Sequence, residues 1–301
     1  MKCFPSKKVL LLCLATINYS DRPDLLRVIE ANSTRAYKYD AISGMAVFYN
    51  DVFIVYSSSP VVCIYDACTH RCKTQLTLEG FVCVVDFRDC VNVAGDIYIM
   101  NGITREILQI DPNRNFKKWS TGNDLGLLSV SAESTIVVTC SETRALREYS
   151  TQGKLIQEIK LCSKVLHPDH AIKLGNGHFV VSHRSCSDTD DVVFMVNNFG
   201  GITKSFWDDS RLIMLPTRLA VNENGDILLF RNVYGSEVVL LNPELEFKRQ
   251  LVALRGDGLD RLDGPAAMHL DEKTGQLYIA GYCYREKFLG FNSRVVVLNI
   301  F

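Results

Sequence analysis

The 301-residue sequence has no surplus of either charge: 33 lysines and arginines stand against 34 aspartates and glutamates, a formal net charge of −1. The two signs are interspersed, so no long-range field marks the chain for nucleic acid or an anionic membrane, and only a local basic face is left open. Long apolar runs are missing as well. The stretch VLLLCLA (Val9–Ala15) is far too short to span a bilayer, so no membrane partner is expected. No segment carries a convincing helical period. There is no GxSxG turn, no P-loop and no GxGxxG between strand and helix, which excludes the nucleophile elbow and the phosphate cradles of several enzyme classes. Paired C-x-x-C motifs are absent, and no inner-strand carboxylate set recurs to hold calcium. No catalytic residue, metal ligand or cofactor is therefore assigned.

What the sequence has is repetition. A short, nearly all-apolar run is answered about ten residues later by a second, six times over. The first runs begin at Asp51, Asp96, Thr135, His178, Asp226 and Gln276, as in DVFIVY and DILLF; their partners begin at Val61, Glu106, Ala145, Asp191, Glu237 and Arg294, as in VVCIYD and RVVVLN. A recurrence of about 40–50 residues is the signature of a β-propeller or a solenoid. Each unit also has a short entering strand, such as GMAVFY from Gly44, RLAVNE from Arg218 and AAMHLD from Ala266, and an amphipathic last strand, such as LIQEIKL from Leu155. The second unit is least regular, with its entering strand somewhere between Val82 and Ala94. Middle strands lie between neighbouring sheets and can be apolar on both faces, whereas the outermost strand meets water and alternates.

The expectation is a single all-β domain over 1–301, a six-bladed β-propeller of four-stranded antiparallel blades. The blades fall near 39–80, 81–122, 123–162, 163–208, 209–254 and 255–301, after a closing strand and lead-in over 1–38. The sixth unit ends without an outer strand, so an N-terminal strand must complete the last blade and close the ring. Lys8–Asn18 (KVLLLCLATIN) is the first choice for that strand and Leu25–Ile29 (LLRVI) the alternative. On the first choice, cleaving Val9–Ala15 as a signal peptide would remove the clasp. With eleven cysteines, an odd number and most within apolar runs, a reducing, cytoplasmic location is expected; secretion is the alternative, consistent with sequons at Asn18 and Asn32. In CTHRC, Cys68 and Cys72 flank a turn and would read as a disulfide in a secreted protein or as free thiols in the cytosol, while Cys68, His70 and Cys72 supply at most three metal ligands.

Three segments carry a family likeness: PDHAIKLGNGHFVVSH from Pro168, PTRLAVNENGDILLFRNVYGSEVVLLNPE from Pro216 and GPAAMHLDEKTGQLYIAGY from Gly264. With a proline before the entering strand and a Gly-Asp/Asn opening of the next, the chain resembles NHL-repeat propellers, and its style is similar to the C-terminal propeller of invertebrate tripartite-motif proteins. The resemblance covers about half the chain. It implies a recognition or scaffold role toward a protein partner, of the kind that selects substrates in a ubiquitin-ligase context; the zinc and coiled-coil domains that transfer ubiquitin have no counterpart here.

In this fold the loops entering each inner strand and those joining second to third strands share one end of the ring, where a rigid scaffold presents binding residues. Their content is rich in arginine and tyrosine, the residues that anchor protein interfaces. Arg184, Arg231, Tyr234, Tyr284 and Arg285 are the expected anchors, with His170 and Arg218 beside them. Acidic residues, among them Glu142, Asp188 and Asp257, interrupt this rim. RNA binding is the alternative, since the same arginines and tyrosines supply phosphate contacts and stacking platforms. A metal-dependent propeller enzyme, a lyase or lactonase, is the second alternative; it would use His170, His183 and His269, the plausible imidazole set.

Overall fold

The structure, a computed structural model, describes residues 24–30, 41–78, 86–122, 124–183, 193–206, 215–232, 236–254, 262, 264–285 and 290–300. These residues form strands and turns, with no helix among them. Strand β1 (Asp24–Glu30) belongs to the last blade. The first blade is β2 (Ile42–Phe48), β3 (Asp51–Tyr56), β4 (Val61–Asp66) and β5 (Cys72–Thr77). The second is β6 (Phe87–Val93), β7 (Asp96–Asn101), β8 (Glu106–Ile110) and β9 (Phe116–Ser120). Then come β10 (Gly126–Val130), β11 (Ile136–Cys140), β12 (Ala145–Tyr149) and β13 (Leu155–Lys160), followed by β14 (Pro168–Lys173), β15 (Phe179–His183), β16 (Val193–Val196) and β17 (Ile202–Phe206). The fifth blade is β18 (Leu215–Val221), β19 (Ile227–Asn232), β20 (Ser236–Leu241) and β21 (Phe247–Leu254); the sixth is β22 (Gly264–Asp271), β23 (Gln276–Arg285), β24 (Gly290–Asn299) and β1.

All pairings are antiparallel, and each inner strand touches the next around the ring, including β22 with β2. The core is divided by blade interface. One apolar cluster joins blade one to blade six through Ile54, Tyr56, Tyr278 and Val297; another joins blades four and five through Val180, Met195, Leu229 and Val239. Strand β11 is buried at all five positions, whereas β13 at the outer edge is largely exposed. The first face-to-face burial needs apolar residues on both sides of the strand, which is why the middle strands read as unbroken runs. Each fully buried Val, Ile or Leu contributes about 1.5–3 kcal/mol, so the interfaces are the main source of stability. Turns use glycine where backbone approach demands it: Gly200 has φ +78°, and a Cβ there would meet the Lys160 carbonyl oxygen of the neighbouring blade at 1.8 Å.

The outer place in the last blade is taken by β1, with Leu25 opposite Leu298, Val28 opposite Val296 and Ile29 opposite Val295. This is the alternative segment. The first choice, Lys8–Asn18, lies outside the described residues and does not hold that place. Chain length supplies the reason. Residues 31–41 connect β1 to β2, similar to the nine residues 78–86 between β5 and β6 and the nine, 255–263, between β21 and β22. A strand ending at Asn18 would need a connection about twice as long, beyond the usual loop range of compact domains. The argument that a leader could not be removed without loss of the clasp falls with it.

The CTHRC hairpin is a turn with structural partners. Asp66 Oδ1 accepts the N–H groups of Cys68 (3.1 Å) and Thr69 (2.7 Å), and Lys73 Nζ bridges Asp51 at 2.6 Å and Asp66 at 3.0 Å. The Thr69 N–H, and after it Lys73, hold the Asp66 carboxyl well below the usual range. Cys68 and Cys72 are exposed free thiols, and among the described residues no group of three metal-ligating side chains occurs.

Candidate functional site

Five of the six inner strands carry a register shift near their entry, at Ile42/Gly44, Phe87/Asp89, Pro168/His170, Pro216/Arg218 and Pro265/Ala267. A bulge of this kind re-aims the side chain that follows it. Proline fits the first position of three of them because a bulge leaves one N–H outside the ladder. The residues after the shifts, Gly44, Asp89, His170, Arg218 and Ala267, occupy the same level of the ring. Gly44 is the narrow point, since a Cβ there would meet the Cys90 backbone nitrogen at 2.4 Å. Asp89, His170 and Arg218 form a buried polar belt across the central channel.

Each member of the belt reaches into another blade. Asp89 Oδ2 accepts the Leu128 N–H at 3.0 Å and its Oδ1 accepts the Cys90 N–H at 2.9 Å. His170 Nδ1 accepts the Leu219 N–H at 3.2 Å, which fixes the Nε2–H tautomer, and Nε2 donates to the Leu128 carbonyl at 3.2 Å. The Arg218 Nε donates to the Ala266 carbonyl, and Nη1 stands 3.7 Å from Asp89 Oδ2. The Ile42 N–H, donating to Ser293 Oγ at 3.1 Å, ties blade one to blade six. Burial dominates the electrostatics: it pushes the Asp89 carboxyl up to about 6 against Arg218 and two N–H donors, and pulls the His170 imidazole down to about 3, with Arg218 adding to the effect. His170 is therefore a neutral rivet.

The belt separates two cavities along the channel. The outer one, about 490 Å3, opens among the strand-entry and second-to-third connections and is lined by Ser43, Asp86, Arg88, Glu142, Asp169 and Arg218. Arg88 is paired with Asp86 at 2.6 Å. On the same end, Ile103 is 50% exposed in the β7–β8 turn and Leu166 is 41% exposed between β13 and β14. The inner chamber, about 300 Å3, is walled by side chains such as Met45, Val130, Ile172 and Met268, and also reaches Asn92, Arg218 and His269.

The structure brings His170 and Arg218 together, though in the belt and not on a free rim. Arg231 is placed differently from expectation. It is 9% exposed, with Nε 2.5 Å from Glu237 Oε1, while Gln250 donates to Glu237 Oε2 at 2.8 Å. Arg231 stands opposite Glu237 in the β19–β20 ladder, and its Nε is paired within its own blade. Arg184 and Tyr234 lie outside the described residues. Tyr284 and Arg285 end β23, opposite Phe291 and Gly290. His183 is buried and stacked on Phe194 at 4.8 Å, and His269 lies two residues deeper than the belt, so the three histidines do not share one site. Asp89 was missed by sequence reasoning. Its signal was position alone, two residues after the strand opening, where the later blades carry His170 and Arg218 two residues after a proline.

No protein-family model matches the sequence. No curated protein matches it at a significant level. Solved structures do match in fold. Virginiamycin B lyase from Staphylococcus aureus superposes with a TM-score of 0.62 at 12% identity, over 91% of this chain and 99% of that one. Hydrazine synthase of Kuenenia stuttgartiensis gives 0.58 at 17% identity, over 80% and 74%. The Dos1 propeller gives 0.53 at 10% identity, over 86% and 69%. At these identities the likeness is one of fold: the chain is a six-bladed β-propeller, an architecture that suits protein-interaction modules in general.

Proposed function

We propose that the protein is a non-catalytic recognition module, a propeller of the NHL type that binds a protein partner at the outer mouth of its channel. The observation that carries this reading is the mouth itself, a cavity of about 490 Å3 with charges of both signs and exposed apolar Ile103 and Leu166 on the same end. Apolar anchors beside a polar rim are what a protein partner uses, while the mixed sign weakens the case for a phosphate backbone. The belt supports the non-catalytic part, because His170 spends both ring nitrogens on backbone groups and so has neither left for proton transfer. Arg184, Tyr234, Tyr284 and Arg285 remain proposed contributors to the rim, with Arg218 at its floor. The free thiols at Cys63, Cys68, Cys72, Cys90, Cys140 and Cys162 support a reducing compartment.

The test is affinity capture from native lysate, with and without nuclease, and quantified by mass spectrometry. Partners that survive nuclease and are lost on Arg88→Glu support the reading. Capture that vanishes with nuclease, or turnover of a small substrate by the purified chain, overturns it.

A further inference from the structure

The inner chamber is lined by Asn92 and His269, which lie outside the belt, and by Arg218 of the belt, whose Nη1 the belt leaves without a hydrogen bond among the described residues. Arg218 is 7% exposed, and its Nη1 makes no hydrogen bond among the described residues, only the 3.7 Å approach to Asp89. Asn92 Oδ1 accepts the Gly95 N–H at 3.3 Å, but its Nδ2 is buried without a hydrogen-bond partner among the described residues. His269 lines the same chamber, and burial pulls its imidazole down to about 4, with Asp271 opposing, so it is neutral at physiological pH. It keeps partial exposure because the chamber reaches it. Orphaned donors are uncommon in native proteins, because a buried N–H without a partner has lost its water and gained nothing in return. Two such donors, on residues that line one cavity with His269 beside them, point to an occupant that accepts hydrogen bonds.

The remaining lining defines the rest of that occupant. Met45, Val130, Ile172, Val221, Met268 and Leu270 give apolar walls. The volume of about 300 Å3 is at the lower end of the range for small-molecule sites. One cation is present, and Asp89 close by makes a dianion such as phosphate unfavourable. A carboxylate offers two oxygens with about four acceptor sites in the plane that a guanidinium matches. From the unused Arg218 and Asn92 donors and the apolar walls around His269, we infer that the inner chamber is a binding site for a small monocarboxylate with an apolar tail. The carboxylate lies under the belt against Arg218, and the tail runs along the methionine-lined wall. This chamber lies on the other side of the belt from the mouth and shares only Arg218 with the residues named there, and the inference does not depend on the partner-binding role.

The test uses the full chain and sodium hexanoate, with 1-hexanol and hexylamine as controls, by isothermal titration and thermal shift. Hexanoate should bind saturably at one site and raise the melting temperature, and the controls should not. Arg218 variants also disturb the belt, so Asn92→Leu and His269→Phe are the informative pair; each should weaken hexanoate binding about tenfold or more while the circular dichroism spectrum is kept. Three outcomes overturn the inference: no saturable binding, which means the chamber holds water only; hexanol binding as tightly as hexanoate; or unchanged affinity in both variants.

Discussion

Asn in place of Asp89 should remove a pH dependence of stability that the belt builds in. The Asp89 carboxyl is fully buried between β6, β10 and the Arg218 side chain, and its folded value lies near 6 against an ordinary value of 3.8. The groups that act on it are Arg218 and the Leu128 and Cys90 N–H donors, which favour the charge, and Asp169, which with burial opposes it. Because the folded value is raised, the folded state keeps a proton that the unfolded chain has released between pH 4 and 6. Stability from this group is therefore greatest below pH 4 and falls as pH rises to about 6. A shift of about two units corresponds to about 3 kcal/mol as an upper figure. Asp89→Asn is neutral throughout. Urea midpoints at pH 4, 5, 6 and 7, followed by circular dichroism, should show the wild type losing stability relative to the variant across that window, by about 1–3 kcal/mol. Parallel curves, or a wild type that gains on the variant as pH rises, would refute the buried, proton-binding carboxylate.

Two further outcomes follow from the packing. Arg231→Ala removes the guanidinium from the buried Glu237, so it should lower stability, by up to about 3–5 kcal/mol, whereas Arg231→Met with Glu237→Gln should recover most of the loss; equal midpoints for wild type and Arg231→Ala in urea would count against the pair. Removing residues 1–18 leaves β1 in place and should change the melting temperature little, while removing 1–30 uncovers β24 and should destabilise the ring and promote association through the bare edge, as read by calorimetry and light scattering; equal effects of the two deletions would refute β1 as the clasp.

The blades were legible because each interface needs middle strands that are apolar on both faces, and DVFIVY or EVVLLN has no other use for such a run. The entering strand of blade two was faint for a physical reason. FRDCVNV carries Arg88 at the mouth, Asp89 in the belt and Asn92 in the chamber, so polar side chains interrupt the apolar pattern that marks a strand. The belt had no local motif, since its members, at positions 89, 170 and 218, come from three different blades and meet only when the ring closes. Arg231 looked like a loop anchor because RNVYGSE reads as a turn. The ladder runs to the end of that hairpin and sets Arg231 opposite Glu237, which turns a presumed contact residue into an internal pair. Both clasp candidates are apolar runs, and connection length is what separates them in favour of β1.

The central claim, recognition at the outer mouth, is tested most directly by comparing two surface variants in quantitative partner capture. Ile103→Asp with Leu166→Asp alters the mouth end, and Phe199→Asp alters the opposite end, where Phe199 is 86% exposed in the β16–β17 turn. The account predicts that the mouth variant loses its nuclease-resistant partners by tenfold or more while the Phe199 variant keeps them, with both retaining wild-type melting temperatures. Loss in the Phe199 variant with retention in the mouth variant would contradict it.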